Sequence, residues 1–472
     1  MDAHAAIAEL RQRFAALQAD HQALQAEFRA LQAENQRLRG TLAERDARIR
    51  ELEQELKRRG KDKTKRGGRP EKPKDQPDGR SAERRTHPGE TRPPAEPTRA
   101  EDVRLDECPQ CGGALDETGE FDEKVVEDIP QPQPERVLYR RHKYRCQCCR
   151  AVVQGRSDLD LPGSRIGPRT RLLAAFAGVG LGVSLGKTQL LLDEFFGLQV
   201  SRAGLLGQRQ WVGARLRGVA VQLLEMLLGE GLLHADETSW PHAGKYRWCW
   251  ILCSPRIAVF LIRKRRDRDT FLEMLAGTLP GTLITDFYAV YNGLGRKQQR
   301  CLAHLATTLR ELAEKLPPAV VARSLRPILD WVGAAFAFAR ERAAKSRSWR
   351  SQHAAALRAE LASLQTRHSA DADAERMFNR LRRHGGELLT FLDSEDLPPD
   401  NNLAERAARG VANDRGMGRG SRSETGAETY GDLKTVYATC RRQKLNFFAY
   451  GMNALAARQQ MRPTPLPLAQ PP

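Results

Sequence analysis

The sequence predicts a multidomain α+β chain. Three observations carry that prediction: a heptad repeat over the first 57 residues, five cysteines crowded between positions 108 and 149, and a later series of strand-like runs ending in aspartates. The length of 472 residues suggests roughly three units. A formal net charge of +18 and a pI near 9.8 exceed what solubility requires, so a polyanionic partner is expected, nucleic acid ahead of an acidic membrane surface. No run approaches the roughly 20 apolar residues of a membrane span, and the N-terminus is charged. A soluble, cytoplasmic protein without a membrane partner is expected.

Residues 1–58 read as a coiled coil. One seam runs through Ile7, Phe14, His21, Phe28, Asn35, Leu42, Ile49 and Leu56, the other through Leu10, Leu17, Leu24, Leu31, Leu38 and Leu52. An unpaired helix would leave this seam in water, and Asn35 at a core position is the kind of residue that fixes register in a parallel pair. A homodimer is expected, with a helix docked on its own body as the alternative. His21 and Arg45 weaken the seam.

Residues 59–104 read as a flexible basic linker, because Lys, Arg, Gly and Pro dominate and little apolar surface is available to offset ordering entropy. Within it, Arg66-Gly67-Gly68-Arg69-Pro70 resembles arginine-glycine cores that lie in the minor groove, which makes Arg66 and Arg69 candidate DNA contacts. A solvated tail accounts for it equally well.

Residues 105–150 read as a zinc-binding module. Cys108-Pro109-Gln110-Cys111-Gly112-Gly113 is a knuckle whose glycines permit a tight turn, and Cys146-Gln147-Cys148-Cys149 supplies a second pair after the spacer 112–145. Cys108, Cys111, Cys146 and Cys149 would close a tetrahedral structural Zn2+ site, with Cys148 or His142 able to replace one ligand. A small hairpin of Lys124–Ile129 against Val137–Tyr144 is expected in the spacer. Buried free cysteines are the plain alternative.

Residues 151–225 read as helical. Gly197 can end one helix and Ser201 can cap the next, an arrangement compatible with a helix-turn-helix presenting Arg202 and Arg209 to DNA, or with simple helix packing.

Residues 226–304 alternate strand and helix. Gly231–Asp236, Tyr246–Cys253, Ile257–Arg263, a helix over 268–277 and Gly281–Asp286 give the order strand, strand, strand, helix, strand, with Asp236 and Asp286 expected at strand exits. Residues 305–395 read as a helical insertion rich in Ala, Leu and Arg. Residues 396–460 return to the α/β unit through Pro398-Pro399-Asp400-Asn401-Asn402, where Asp400 or Asn401 can cap a helix carrying Glu405, and residues 461–472 form a tail. Taken singly, each aspartate is an ordinary turn former and Glu405 an ordinary partner for Arg409.

The strand order resembles the ribonuclease-H-like fold of metal-dependent nucleases, integrases and transposases. Three blocks sharpen this: His234-Ala235-Asp236-Glu237-Thr238-Ser239-Trp240, Thr285-Asp286-Phe287-Tyr288-Ala289-Val290-Tyr291-Asn292, and Asp400-Asn401-Asn402-Leu403-Ala404-Glu405-Arg406. In order and spacing they are similar to the catalytic blocks of bacterial transposases of the insertion sequence 66 family. That family also begins with a coiled coil, a basic segment and a pair of cysteine knuckles. The resemblance implies a ribonuclease-H-like α/β catalytic domain with a helical insertion, and an acid triad of Asp236, Asp286 and Glu405 holding two Mg2+ or Mn2+ ions. It also covers Cys301-Leu302-Ala303-His304, so Cys301 and His304 are candidate supports of the triad.

The implied activity is cleavage at the terminal inverted repeats of a mobile element and joining of the 3′ hydroxyl to target DNA. Implied partners are DNA, a second copy through the coiled coil, and small accessory proteins of the same element; the implied location is the nucleoid. An inactive DNA-binding relative and a nuclease without strand transfer are the competing readings. Two departures from the family pattern, Ala306-Thr307-Thr308 and the glycine-rich Asn413–Gly420, bear on DNA contacts rather than on the acids.

Overall fold

The structure is a computed structural model that describes residues 95–130, 132–155, 157, 164–275, 281–294, 297–418, 420–459 and 464–468, together with Gln25, Gln36 and Gly40. The coiled-coil seam, most of the basic linker with Arg66 and Arg69, and most of the tail lie outside the described residues. The chain divides into two compact units, Met1–Val125 and Val126–Pro472.

In the first unit, the backbone N–H of Gly112 donates to the carbonyl of Cys108 (2.8 Å), and that of Cys108 to Gly113 (3.0 Å). Gly112 has φ +72°, a left-handed conformation that glycine adopts without strain. In the second unit, Arg150 donates to Cys146 (3.0 Å) and Cys146 to Ala151 (2.8 Å), with Arg150 at φ 59°. The two turns have the same construction. The second is flanked by the antiparallel strands β1 (Lys143–Arg145) and β2 (Val152–Gln154). This replaces the expected hairpin. Neither Lys124–Ile129 nor Val137–Tyr144 as a whole forms a strand, and Val126 and Leu138 are largely exposed rather than buried in a ladder.

Helices α1 (Pro168–Val179), α2 (Leu185–Phe196) and α3 (Arg202–Leu228) follow. The α2–α3 junction follows its sequence signals. Gly197 ends α2 in the left-handed region (φ 57°), and the Ser201 hydroxyl accepts the Gly204 N–H to cap α3.

The second unit is organised by a mixed five-stranded sheet. Its strands are β3 (Leu232–His242), β4 (Lys245–Cys253), β5 (Ala258–Arg263), β6 (Thr282–Thr285) and β7 (Gln298–Arg300), in the spatial order β5-β4-β3-β6-β7. A two-residue turn, Ala243-Gly244, joins β3 to β4; both residues have positive φ, the geometry that matches strand twist. β4 is antiparallel to β3 and β5, whereas β6 is parallel to β3 and to β7. The short helix α4 (Arg268–Met274) lies between β5 and β6 in the chain.

Alternation along β4 assigns the two faces of the sheet. Trp250 and Leu252 join the large core with Leu216, Leu223, Val436 and Phe447. Cys249, Ile251 and Cys253 pack with Ala404 and Val411. The residues between β7 and the segment 398–402 are mainly helical, with α5 (Leu302–Ala313), α6 (Arg326–Glu341), α7 (Arg347–Gln365) and α8 (Ala372–Leu388). They share a separate apolar core centred on Trp331, which is fully buried and donates its indole N–H to Leu357 O. Helix α9 (Asn402–Gly418) then packs on the Ile251 face, followed by α10 (Glu424–Arg442) and α11 (Phe447–Gln459).

The edge strand β5 would present unpaired N–H groups. Instead, the hydroxyls of Thr439 and Thr435 on α10 accept the N–H groups of Ala258 (3.2 Å) and Phe260 (3.0 Å). Gly431 permits this close approach, since a Cβ there would sit 2.7 Å from the Phe260 carbonyl oxygen.

Candidate active site

Register determines which acids meet. His234 pairs with Ile284 across β3 and β6, so Asp236 and Asp286, each two residues further along parallel neighbours, lie at the same level on the same face. Asp236 lies opposite Ile251 on β4, and Ile251 faces α9, the helix that carries Glu405. Glu237, opposite Trp250, points to the other face. Asp236 does not stand at a strand exit as expected. β3 continues to His242 because its hairpin with β4 outlasts its pairing with β6, and Asp236 sits just beyond the last β6 pair. Asp286 does follow directly on β6.

Among the described residues the ligand atoms of the three acids do not all lie within 4.8 Å of one another, but the acids sense one another electrostatically. Burial first, then Glu237, Asp286 and Glu405, push the Asp236 carboxyl up to about 7, against a backbone hydrogen bond from Glu237 N (2.9 Å) that lowers it. Asp286 accepts the N–H of Tyr288 at 2.8 Å. Glu405 lies 3.1 Å from His304 Nδ1 and 3.6 Å from Cys301 Sγ. The His304 side chain lowers the Glu405 carboxyl, while Cys301 and then Glu405 raise the imidazole. Cys301, His304 and Glu405 place one ligand atom each within 4.8 Å of one another.

Several further residues hold these groups in place, among which the sequence marks Asp400 and Asn401 only as helix caps. Asn401 is fully buried: its Nδ2 donates to Ala235 O (2.8 Å), so its Oδ1 is the acceptor facing His234 Nδ1 at 3.0 Å. The His234 proton is thereby assigned to Nδ1, and burial lowers the pKa of this neutral ring to about 4. Asp400 accepts the Asn402 N–H at the start of α9. Arg300, with its side chain wholly buried, spans the loop after Asp286. It donates to Thr285 Oγ1, to the carbonyls of Asp286 (2.8 Å) and Tyr291 (3.1 Å), to Asn292 Oδ1 (2.9 Å), and to Glu387 on α8 (2.7 Å). Glu237 pairs with Arg266 and accepts the Tyr291 hydroxyl. Arg415 ties α9 to Thr238 and Ser239 of β3.

Arg202 is exposed near the start of α3. Arg209, expected to face DNA, is turned inward: it donates to Ala174 O (2.7 Å), Val183 O (3.3 Å) and Thr188 Oγ1 (2.9 Å), and burial lowers its pKa to about 10. It fastens α3 to α1 and α2. In the cysteine turns, backbone N–H groups lower the thiol pKa of Cys108 (from Gln110 and Cys111) and of Cys146 (from Cys149 and Cys148).

The site sets acidic side chains on one face of a mixed sheet in a chain of net charge +18. Comparison with known families makes this specific. The model of the Transposase IS66 family matches residues 165–429, more than half of the chain, and that of the zinc-finger binding domain of transposase IS66 matches residues 106–150. The chain belongs to the IS66 family of transposases. No curated relative matches it. Among the described residues, no helix is long and apolar enough to cross a membrane.

Proposed function

We propose that Asp236, Asp286 and Glu405 hold two Mg2+ or Mn2+ ions with which this transposase cleaves DNA at the ends of an insertion sequence and joins the exposed 3′ hydroxyl to target DNA. The observation that carries this reading is the β3–β6 register, which sets Asp236 and Asp286 at one level on the sheet face where α9, the helix bearing Glu405, packs. Oxygen donors gathered in a half-buried position fit a hard divalent cation. The sheet order β5-β4-β3-β6-β7, with β6 parallel to β3, supports a ribonuclease-H-like catalytic domain.

When bound, such an ion pair stabilises the attacking and leaving oxygens of an in-line displacement. The protein's own task is positional. β3 and β6 fix two carboxylates at one level, Asn401 anchors the start of α9 so that Glu405 faces them, and Arg300 braces the segment after Asp286.

The wider organisation follows the reading from sequence: a coiled coil over 1–58 that pairs subunits, a basic linker over 59–104 with Arg66 and Arg69 at the minor groove, and a zinc module over 105–150. Helical DNA recognition over 151–225 includes Arg202. The catalytic core spans 226–304 and 396–460 around the 305–395 insertion. Cys108, Cys111, Cys146 and Cys149 fit Zn2+ because each pair sits in a turn whose N–H groups favour the thiolate. Small accessory proteins of the element and a nucleoid location complete the proposal.

The test is cleavage of end-labelled terminal-repeat DNA in Mg2+ or Mn2+ by the parent chain and by Asp236→Ala, Asp286→Ala and Glu405→Ala. Each substitution is expected to abolish cleavage, and full activity in any one removes that residue from the ligand set. Transfer of the labelled end into a plasmid separates a transposase reaction from simple nuclease action.

A further inference from the structure

Glu405 differs from the two aspartates in its company. The sulfur of Cys301 and the imidazole of His304 lie on one side of its carboxylate, and neither is a ligand that Mg2+ prefers. We propose that Cys301, His304 and Glu405 form a separate site for a zinc-class ion, and that its occupancy withdraws Glu405 from the acid cluster and silences cleavage. The proposal rests on the assignment of Glu405 above.

The geometry is that of a metal site. Tetrahedral Zn2+ with bonds of about 2.0–2.3 Å holds its ligand atoms roughly 3.3–3.6 Å apart. Here the carboxylate oxygen is 3.1 Å from His304 Nδ1 and 3.6 Å from Cys301 Sγ, and all three atoms lie within 4.8 Å of one another. His304 Nδ1 is buried and lies 3.1 Å from the carboxylate oxygen without a hydrogen bond of good angle among the described residues.

Two groups face the sulfur. The N–H of Asn401 points at Cys301 Sγ at 3.2 Å, and Cys301 is the N-cap of the 12-residue helix α5, at its positive end. The His304 side chain is 41% and that of Glu405 25% exposed, so the cluster lies close to solvent although Nδ1 itself is buried. Binding would replace the thiol and imidazole protons, which leave to solvent.

The experiment uses the full chain with its cysteine knuckles intact, equilibrated with a defined free Zn2+ concentration. Metal analysis is expected to find one ion fewer per chain in Cys301→Ser than in the parent, and the same deficit in His304→Gln, a change at a partly exposed side chain that opens no core cavity. With Co2+ as probe, the parent-minus-variant spectrum should show thiolate charge transfer. In the parent, Zn2+ added to a Mg2+ reaction should suppress cleavage at least tenfold.

Equal zinc in the parent and both variants overturns the site. An extra ion that leaves parental cleavage unchanged overturns the silencing role. Asp286→Asn separates the two readings: it lies outside the proposed zinc site, so it should keep the extra ion while losing cleavage. If it keeps both, the acid triad fails and the zinc site stands.

Discussion

His234 and Asn401, 167 residues apart, are joined by a 3.0 Å hydrogen bond, and the same amide donates to Ala235 O at 2.8 Å. One buried side chain thus welds the start of α9 to the strand that bears Asp236.

Replacing Asn401 by Ala strands the His234 ring N–H and the Ala235 carbonyl. At about 1–3 kcal/mol for each of the two orphaned groups, a loss of roughly 2–6 kcal/mol is expected in urea unfolding. Cleavage should fall further than stability explains, because Glu405 loses its anchor. A double-mutant cycle with His234→Ala should give a coupling of about 0.5–3 kcal/mol; additive losses would mean that the two side chains act independently.

Asp236→Asn should make the metal-free protein more stable while abolishing cleavage. An acid raised to about 7 in the folded chain, above its ordinary value of 3.8, is ionised at a cost that is fully present above the folded pKa and absent below the unfolded one. Stability of the parent should therefore fall as pH rises from 4 through 7, and the gain from Asn, on the order of 4 kcal/mol, should be seen at pH 8 and vanish near pH 4. Thermal melts of both proteins across this range provide the check.

Arg300→Lys removes the planar fork that serves five acceptors, and an ammonium cannot span them. The expected cost is about 3–5 kcal/mol, as for other broken buried pairs. Chemical denaturation should detect it, and Glu387→Gln should cost less, because four of the five contacts remain.

Bound zinc should drop on joint substitution of Cys108→Ser and Cys146→Ser, with the catalytic acids untouched. Unchanged zinc in this variant would remove both knuckles from the ligand set. Cys148→Ser should retain the metal, since the turn hydrogen bonds relate Cys146 to Arg150 and Ala151 in the same way that they relate Cys108 to Gly112 and Gly113.

Much of this was legible in the sequence because it is written in local periodicity. The β-prone runs around Asp236 and Asp286, the Gly197 stop and the Ser201 cap all appear where the pattern put them. The exit position of Asp236 was not legible, since the length of a strand depends on which neighbour pairs with it. Nor was the second-unit hairpin, because Lys143–Arg145 and Val152–Gln154 are three-residue strands, too short to alternate visibly. Arg300 reads as one among 77 basic residues and Arg209 as a DNA contact, and only the fold turns both inward. The His234–Asn401 bond spans too much chain for any spacing rule to suggest.

The cover over β5 has a cost in time. Phe260 is 175 residues ahead of the threonine that satisfies it, and a ribosome adding about 5–20 residues per second needs roughly 10–35 s to deliver that threonine. Throughout that interval the nascent sheet has a bare hydrogen-bonding edge that can recruit a strand from a neighbouring chain. Yield in a cell should therefore depend on translation speed and on holding chaperones more than on the final stability of the folded enzyme.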